Sequence, residues 1–124
     1  MSGSGSDIRV ATLNVGGINN DKLMFIAWYF QRLEIDVMFL QDTQMSALNS
    51  MYNHRDLKDI LGHNIYVSSS GTHHNGLFSR IGGQAVIVGE RWSKHVSRFK
   101  ADDSGMGVVA ELELMTAIGR LFNW

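Results

Sequence analysis

The 124-residue sequence contains no cysteine and no proline. Without cysteine the chain has no disulfide framework and no thiolate metal site, so any metal ion would need oxygen or imidazole ligands. The turns are also built without proline, which normally occupies about 5% of positions. Net charge is nearly absent, since 11 basic and 12 acidic side chains give a formal charge of −1. This balance argues against a wholly basic, stand-alone nucleic-acid binder.

Long hydrophobic runs are absent as well. The longest run, residues 23–30, has eight residues, whereas a helix that crosses a membrane needs about 20. We therefore expect an intracellular protein of the cytoplasm or nucleus, with neither a signal peptide nor a transmembrane segment. The opening Met-Ser-Gly-Ser-Gly-Ser, residues 1–6, is typical of an engineered linker or tag, which leaves residues 7–124 as the domain.

Hydrophobic periodicity in the first third of the chain predicts a strand, a helix and a second strand. Residues 8–15 are rich in branched side chains and predict the first strand. Capping residues near Asn19, followed by apolar residues at three- and four-residue spacing, predict a helix over about 21–34. The apolar run 37–40 predicts the second strand. A single crossover helix makes the two strands parallel, with their carboxyl ends at one edge of the sheet.

The remainder predicts one further helical region and several strands. Residues 45–61 indicate a second helix or two helical pieces. The segments 65–67, 84–88 and 108–114 predict successive strands of an antiparallel meander, and residues 119–124 a last strand. The expected fold class is therefore α/β (α+β).

The stretch Val15-Gly16-Gly17-Ile18 follows a strand and precedes a helix, as phosphate-binding loops do. Its spacing matches neither the dinucleotide fingerprint nor the Gly-Lys-Ser/Thr pattern, and Lys22 is followed by no hydroxyl residue. We therefore predict that the glycines form a tight turn, and rank a nucleotide-binding domain last among the functional alternatives.

Asn14 and Asp42 each end one of the two predicted parallel strands. Open α/β sheets bind ligands at that edge, and a carboxylate with an amide oxygen is donor chemistry suited to Mg²⁺. The alternative is structural, because an Asn at a strand end often hydrogen-bonds a turn and an Asp after a strand often caps a helix.

Other polar groups carry weaker signals. Adjacent His73 and His74 in a Gly/Ser-rich segment favour a polar loop over a metal site, and His54 and His63 favour a surface position near helix ends. A basic segment with interleaved aromatic residues is either a phosphate contact or an amphipathic connection with a solvated face. The residues that would make the nucleic-acid contact are Arg91, Lys94, Arg98 and Lys100.

Residues 8–18, Ile-Arg-Val-Ala-Thr-Leu-Asn-Val-Gly-Gly-Ile, and residues 36–43, Asp-Val-Met-Phe-Leu-Gln-Asp-Thr, resemble the opening of the endonuclease/exonuclease/phosphatase superfamily. Members typically begin with a strand carrying Asn-Val-x-Gly and continue to a strand ending Leu-Gln-Glu-Thr. The similarity extends more faintly through residues 82–88 and 120–123. Within the superfamily, the chain looks most like endonuclease domains of non-LTR retrotransposons.

This resemblance implies the amino-terminal half of a four-layer α/β/β/α sandwich, with a mixed sheet flanked by helices on one face. It also implies a Mg²⁺-dependent phosphodiesterase or endonuclease acting on DNA or RNA, with Mn²⁺ as the alternative cofactor. Carried over residue by residue, the metal-binding catalytic position falls on Asp42, and Asn14 helps to hold the metal and phosphate environment. Gln41 would be a polar support beside them.

The chain departs from the family pattern in two ways. Position 42 is Asp where Glu is usual, and the later Asp-x-Asn, Tyr-Ala-Pro and Ser-Asp-His motifs do not occur in these residues. We therefore expect weak or no catalysis by this chain alone. The alternative function is a non-catalytic assembly or nucleic-acid-binding module derived from the same fold.

Half of a sandwich would leave one sheet face uncovered, and large exposed apolar faces mark interaction sites. We expect that face to be covered by a carboxyl-terminal half or by a second copy packed sheet to sheet as a homodimer. Four residues off the main apolar stripe of the first helix also need cover, from a partner or from later elements. They are Met24, Phe25, Trp28 and Tyr29.

Overall fold

The computed structural model describes residues 8–44, 47–69, 73–75, 79–81, 83–101, 110–116 and 119–123, which form a mixed α/β structure. No helix in these ranges combines the length and apolar character that crossing a membrane requires. The elements follow in the order β1 (Val10–Asn14), α1 (Asn20–Arg32), β2 (Val37–Gln41), α2 (Ala47–Leu61), β3 (Tyr66–Ser69), β4 (His73–Asn75), β5 (Ser79–Ile81), β6 (Gln84–Val88), α3 (Glu90–Ser93), β7 (Val96–Ala101), β8 (Ala110–Thr116) and β9 (Gly119–Asn123).

The predicted strand, helix and strand at the start of the chain are confirmed. β1 and β2 are parallel, with a register that runs from Val10 opposite Val37 to Asn14 opposite Gln41. α1 begins where the Asn19 side chain accepts a hydrogen bond from the Lys22 backbone N–H at 2.9 Å, which caps the helix. Its apolar residues Leu23, Ile26, Ala27 and Phe30 are buried against the sheet and α2.

The predicted antiparallel meander is confirmed for two pairs of strands, β3 with β6 and β8 with β9, and is wrong where it placed β6 beside β8. β6 lies between β2 and β3 and is antiparallel to both, so the four-stranded sheet has the order β1-β2-β6-β3. All five residues of β6 are buried, as expected of a central strand with both faces covered. β8 belongs instead to a separate three-stranded sheet with β7 and β9. The local sequence pattern predicted where these strands lie, but it did not predict which distant strands pair.

Both faces of the four-stranded sheet carry a hydrophobic core. Alternate residues of β2 point to opposite faces, so that Met38 and Leu40 join the helix-side cluster. Val37 and Phe39 join a second cluster, which contains Trp92 of α3 and both Leu112 and Leu114 of β8. The sheet face that we expected to be uncovered is therefore packed, within the described ranges, by later elements of the same chain. Binding of a partner remains a prediction.

Neighbouring residues of β2 allow a direct test of this two-sided packing. Phe39→Ala should lower the free energy of unfolding by about 3–5 kcal/mol, because it empties the core between the sheets, and Met38→Ala by about 2–5 kcal/mol on the helix side. Urea denaturation of both variants measures the two losses. A cost for Phe39→Ala below about 1 kcal/mol, the range of surface substitutions, would mean that the second face is open in solution.

Candidate functional site at the carboxyl edge of the parallel strands

The structure brings Asn14 and Asp42 to the same edge of the sheet. Asn14 ends β1 directly opposite Gln41, and Asp42 is the next residue after Gln41. The Asn14 side chain is exposed, and Asp42 is half-buried. Their placement on adjacent parallel strands therefore agrees with the sequence prediction, and both side chains can be reached from solvent.

The β1–β2 pairing continues beyond the strands into the two loops that follow them. The Val15 N–H donates to the Gln41 carbonyl at 2.8 Å, the Gly17 N–H to the Asp42 carbonyl at 2.8 Å, and the Ile18 N–H to the Thr43 carbonyl at 3.0 Å. These bonds hold the backbone at Asp42 beside the glycine turn. The polar residues are thus supported by paired backbone rather than by a free loop.

The ammonium group of Lys22 closes the glycine turn from the helix side. Its Nζ donates to the carbonyls of Val15, Gly16 and Gly17 at 2.9, 3.2 and 3.0 Å. Gly16 and Gly17 have φ values of +63° and +88°, a region that favours glycine. Because the N–H groups of Gly17 and Ile18 already donate to backbone carbonyls, the turn does not support the phosphate-loop alternative.

Gln44 orders the Asp42 carboxylate and was missed by sequence reasoning. Its Nε2 donates to both carboxylate oxygens of Asp42 at 3.2 Å. Asp42 and Gln44 both have left-handed backbone conformations, with φ of +54° and +56°, so the chain folds back on itself over these three residues. A Cβ added at Gly17 would lie 3.0 Å from Gln44 Oε1. No sequence signal beyond proximity to Asp42 marked Gln44.

A polar cleft of about 350 Å³ adjoins Gln44 between the glycine turn, the start of α1 and α2. Side-chain amides dominate its described lining, together with a phenol and a carboxylate. It is therefore polar enough to admit a hydrogen-bonding group next to the Asp42 loop. The lining residues are Ile18, Asn19, Asn20, Gln44, Asn49, Tyr52, Asn53 and Asp56.

The donor set at this edge fits part of a magnesium site. Asp42 supplies a carboxylate, and Asn14 and Gln41 supply amide oxygens, all of which are hard ligands. Within the described ranges no group of three or more His, Asp or Glu residues is arranged to hold a metal ion. Mg²⁺ commonly uses one or two carboxylates and completes its shell with water and substrate phosphate, so this partial set is chemically compatible with it.

His54 is a second group that structure, rather than sequence, places near this edge. It lies on α2 with Nε2 3.0 Å from Ser69 Oγ, and Ser69 pairs with Ala85 of β6. Two strand spacings, or about 10 Å, separate β3 from β2. Burial lowers the pKa of His54 below its usual 6.5, and the positive charge of Lys58 lowers it further.

Two of the basic residues proposed for nucleic-acid contact lie away from Asn14 and Asp42. α3 follows the carboxyl end of β6, where Val88 pairs with Val37 at the start of β2, so Arg91 and Lys94 are at the opposite edge of the sheet. Trp92 is buried and offers no exposed face for base stacking. In β7, Arg98 is paired in backbone register with Glu113 and Lys100 with Glu111, and both cations are exposed.

His63 is exposed beyond the end of α2 and lies 3.4 Å from Asp59 Oδ1, in agreement with the expected surface position. His73 and His74 belong to β4, which pairs with β5, and their side chains lie outside those that the structure describes.

No known protein-family model and no curated protein sequence matches this chain. The resemblance to the endonuclease/exonuclease/phosphatase superfamily therefore stays a prediction that rests on the quoted motifs.

The role of Lys22 in the turn is testable by its replacement with an uncharged chain of similar length. Lys22→Met should lower the free energy of unfolding by about 1–3 kcal/mol, because it leaves three carbonyls without their charged donor. Lys94→Met is the matched control at an exposed position, where the expected change is within about 0.5 kcal/mol. Equal stabilities of the two variants in urea denaturation would contradict the assignment.

The lowered pKa of His54 gives its contribution to stability a defined sign. As the pH falls below about 6.5, the unfolded chain takes up a proton that the folded chain resists. Acidification through 6.5 and on through the lower pKa of the folded state therefore reduces stability. His54→Gln should show a smaller drop in Tm between about pH 7.5 and about pH 5 than the unaltered protein.

The control for this titration is His63→Gln, which removes an imidazole whose side chain is 77% exposed. Differential scanning fluorimetry over the same pH series should give nearly the unaltered slope for this variant. A His54→Gln slope indistinguishable from that of the unaltered protein would show that burial of His54 does not resist protonation.

Proposed function

We propose that the chain is the amino-terminal portion of a Mg²⁺-dependent phosphodiesterase that acts on nucleic acid, with Asp42 and Asn14 on the metal side of its site. The observation that carries the proposal is the register that sets Asn14 beside the residue before Asp42 at the carboxyl edge of two parallel strands. An intracellular location is part of the proposal. So is weak or absent catalysis by this chain on its own.

The layer order supports the finer proposal of an α/β/β/α sandwich. Helices α1 and α2 pack on one face of the four-stranded sheet, and Leu112 and Leu114 of the second sheet pack on the other. The helices, the four-stranded sheet and the three-stranded sheet would then be three of the four layers. We propose that the fourth layer lies beyond the second sheet.

In this function each residue of the edge has a separate task. The Asp42 carboxylate would bind the ion, and the Asn14 amide would either ligate it or donate to a phosphate oxygen. Gln44 holds the carboxylate by hydrogen bonds to both oxygens, and Lys22 holds the turn that pairs with the Asp42 backbone. When bound, the ion would stabilise negative charge on the phosphoryl group.

Metal binding can be tested apart from catalysis. Titration of Mn²⁺ into the ¹⁵N-labelled protein should broaden the amide resonances of residues around Asn14 and Asp42 first, because the ion is paramagnetic. Asp42→Asn keeps the shape of the side chain and should abolish this local broadening. Asp59→Asn, which removes an exposed carboxylate on α2, should leave it unchanged.

Catalysis is measured by nicking of supercoiled DNA and of an RNA substrate, each with Mg²⁺ or with EDTA. Mg²⁺-dependent nicking that falls at least tenfold in Asp42→Asn, about the effect of losing one charged ligand, would support the phosphodiesterase. Broadening centred on other residues, or equal nicking by the chain and by Asp42→Asn, would remove Asp42 from the function.

A second candidate function is an assembly module that retains the fold without the chemistry. It is favoured by the outer surface of α1, where Met24, Phe25, Trp28 and Tyr29 are 45–64% exposed. Apolar side chains clustered in this way mark interaction surfaces. This function predicts association of the protein with no effect of Mg²⁺ or of Asp42→Asn.

A further inference from the structure

Helix α1 is apolar on two opposite sides. One side, containing Leu23, Ile26 and Phe30, is buried in the core. At about 100° per residue, Phe25 and Trp28 project away from that side, and they are 64% and 53% exposed. Helices that are apolar all round are normally buried on all sides, so the outer side of α1 has the character of an interface.

The order of residues along this outer side is symmetric about the middle of the helix. Phe25 and Trp28 are equally far from the point midway between Ile26 and Ala27, and Met24 and Tyr29 are the next symmetric pair. The symmetry extends to the charges, because acidic Asp21 in the first turn is as far from that midpoint as basic Arg32 in the last turn. Both charged residues are exposed.

Such a pattern is complementary to itself when two copies meet head to tail. If a two-fold axis lies between the two helices, perpendicular to them and level with the middle of α1, the helices pack antiparallel and each residue lies near its symmetric counterpart on the other copy. Phe25 then packs on Trp28 of the second copy, and Met24 on Tyr29. Asp21 lies against Arg32 at both ends, so both charges of each copy are matched.

From this complementarity we infer that α1 is a homodimerisation surface, on which a second copy of the same chain binds through an antiparallel α1–α1 contact. The contact lies on the helix layer, on the far side of α1 from the sheet. It is therefore distinct from a sheet-to-sheet dimer, and it leaves the packing between the two sheets unchanged.

The shape of the surface suits a side chain from a partner. An apolar hollow of about 490 Å³ has Asp21, Met24, Phe25 and Trp28 in its described lining. An aromatic side chain buries 150–250 Å² when fully covered, so four side chains that are about half exposed offer roughly 400 Å² per copy. A standard interface uses about 800 Å² per partner. A contact of this size lies at the low end of specific interfaces, so the dimer is expected to be weak and reversible.

Reversal of one charge tests both the surface and its geometry. Asp21→Arg places two basic residues together at each end of the antiparallel contact, and Arg32→Asp places two acidic residues together. Each single variant should weaken self-association at least about tenfold at low salt, since two attractive contacts become repulsive. Sedimentation velocity between about 5 and 500 µM, concentrations at which weak association is visible, measures the change.

Mixing the two single variants supplies the decisive measurement. Asp21→Arg carries two basic positions and Arg32→Asp carries two acidic ones, so an antiparallel heterodimer restores both attractions. An equimolar mixture should therefore associate at least as tightly as the unaltered protein. Loss of helix stability in the single variants cannot produce this rescue. Far-UV circular dichroism on each variant checks folding independently.

Three further variants test whether association depends on the outer side of α1. Trp28→Gln should abolish association, while Met51→Gln, which changes an apolar residue on α2 that is 67% exposed, should leave it unchanged. The inference rests on the assembly function and not on the metal site, so Asp42→Asn should associate normally even if it loses metal binding. A monomer at every concentration, charge variants that associate like the unaltered protein, or a mixture without rescue would each overturn the antiparallel contact.

Discussion

The parallel register between β1 and β2 decides where every polar residue of the candidate site lies. Asn14 stands opposite Gln41 because the pairing starts at Val10 and Val37, and a shift of one residue would turn each β2 side chain to the other face. Buried side chains on both faces of β2 oppose such a shift, since Met38 and Phe39 fill two different cores. The hydrogen bonds from Val15, Gly17 and Ile18 then carry the same register into the loops. Packing far from the edge thus fixes the edge itself.

The local sequence pattern was sufficient to predict those elements that pack against their neighbours in sequence. β1, α1 and β2 were predictable because capping residues, periodicity and one short crossover determine them together. The position of β6 between β2 and β3 could not be predicted in this way. It depends on the pairing of β6 with β2, more than forty residues earlier, and hydrophobic periodicity carries no information on such distant pairs. The segment of β7 was interpreted as either a phosphate contact or an amphipathic connection, and it is a strand paired with β8 in which Arg98 and Lys100 are exposed.

Some residues of the candidate site could likewise be predicted from the sequence, and others could not. Asn14 and Asp42 could be predicted because strand ends are visible in the sequence, and parallel strands bring their ends together. Gln44 and Lys22 could not, because their roles depend on a left-handed backbone at Asp42 and on the direction of the glycine turn. His54 gained its partner from β3, fifteen residues away. Lys22, which in a phosphate-binding loop would be directed at a ligand, instead neutralises carbonyl oxygens of its own chain.

The close approach of Gly17 to Gln44 ties two positions of the chain to each other across the paired loops. Any side chain larger than hydrogen at 17 would meet Gln44 Oε1 at 3.0 Å and would displace the amide that holds Asp42. A shorter residue at 44 would relieve this contact but not the strain of a side chain at φ +88°, and it would remove the amide that donates to the Asp42 carboxylate. Position 17 therefore accepts only glycine without strain, and the residue at 44 sets how exposed the negative charge at 42 is to an approaching cation.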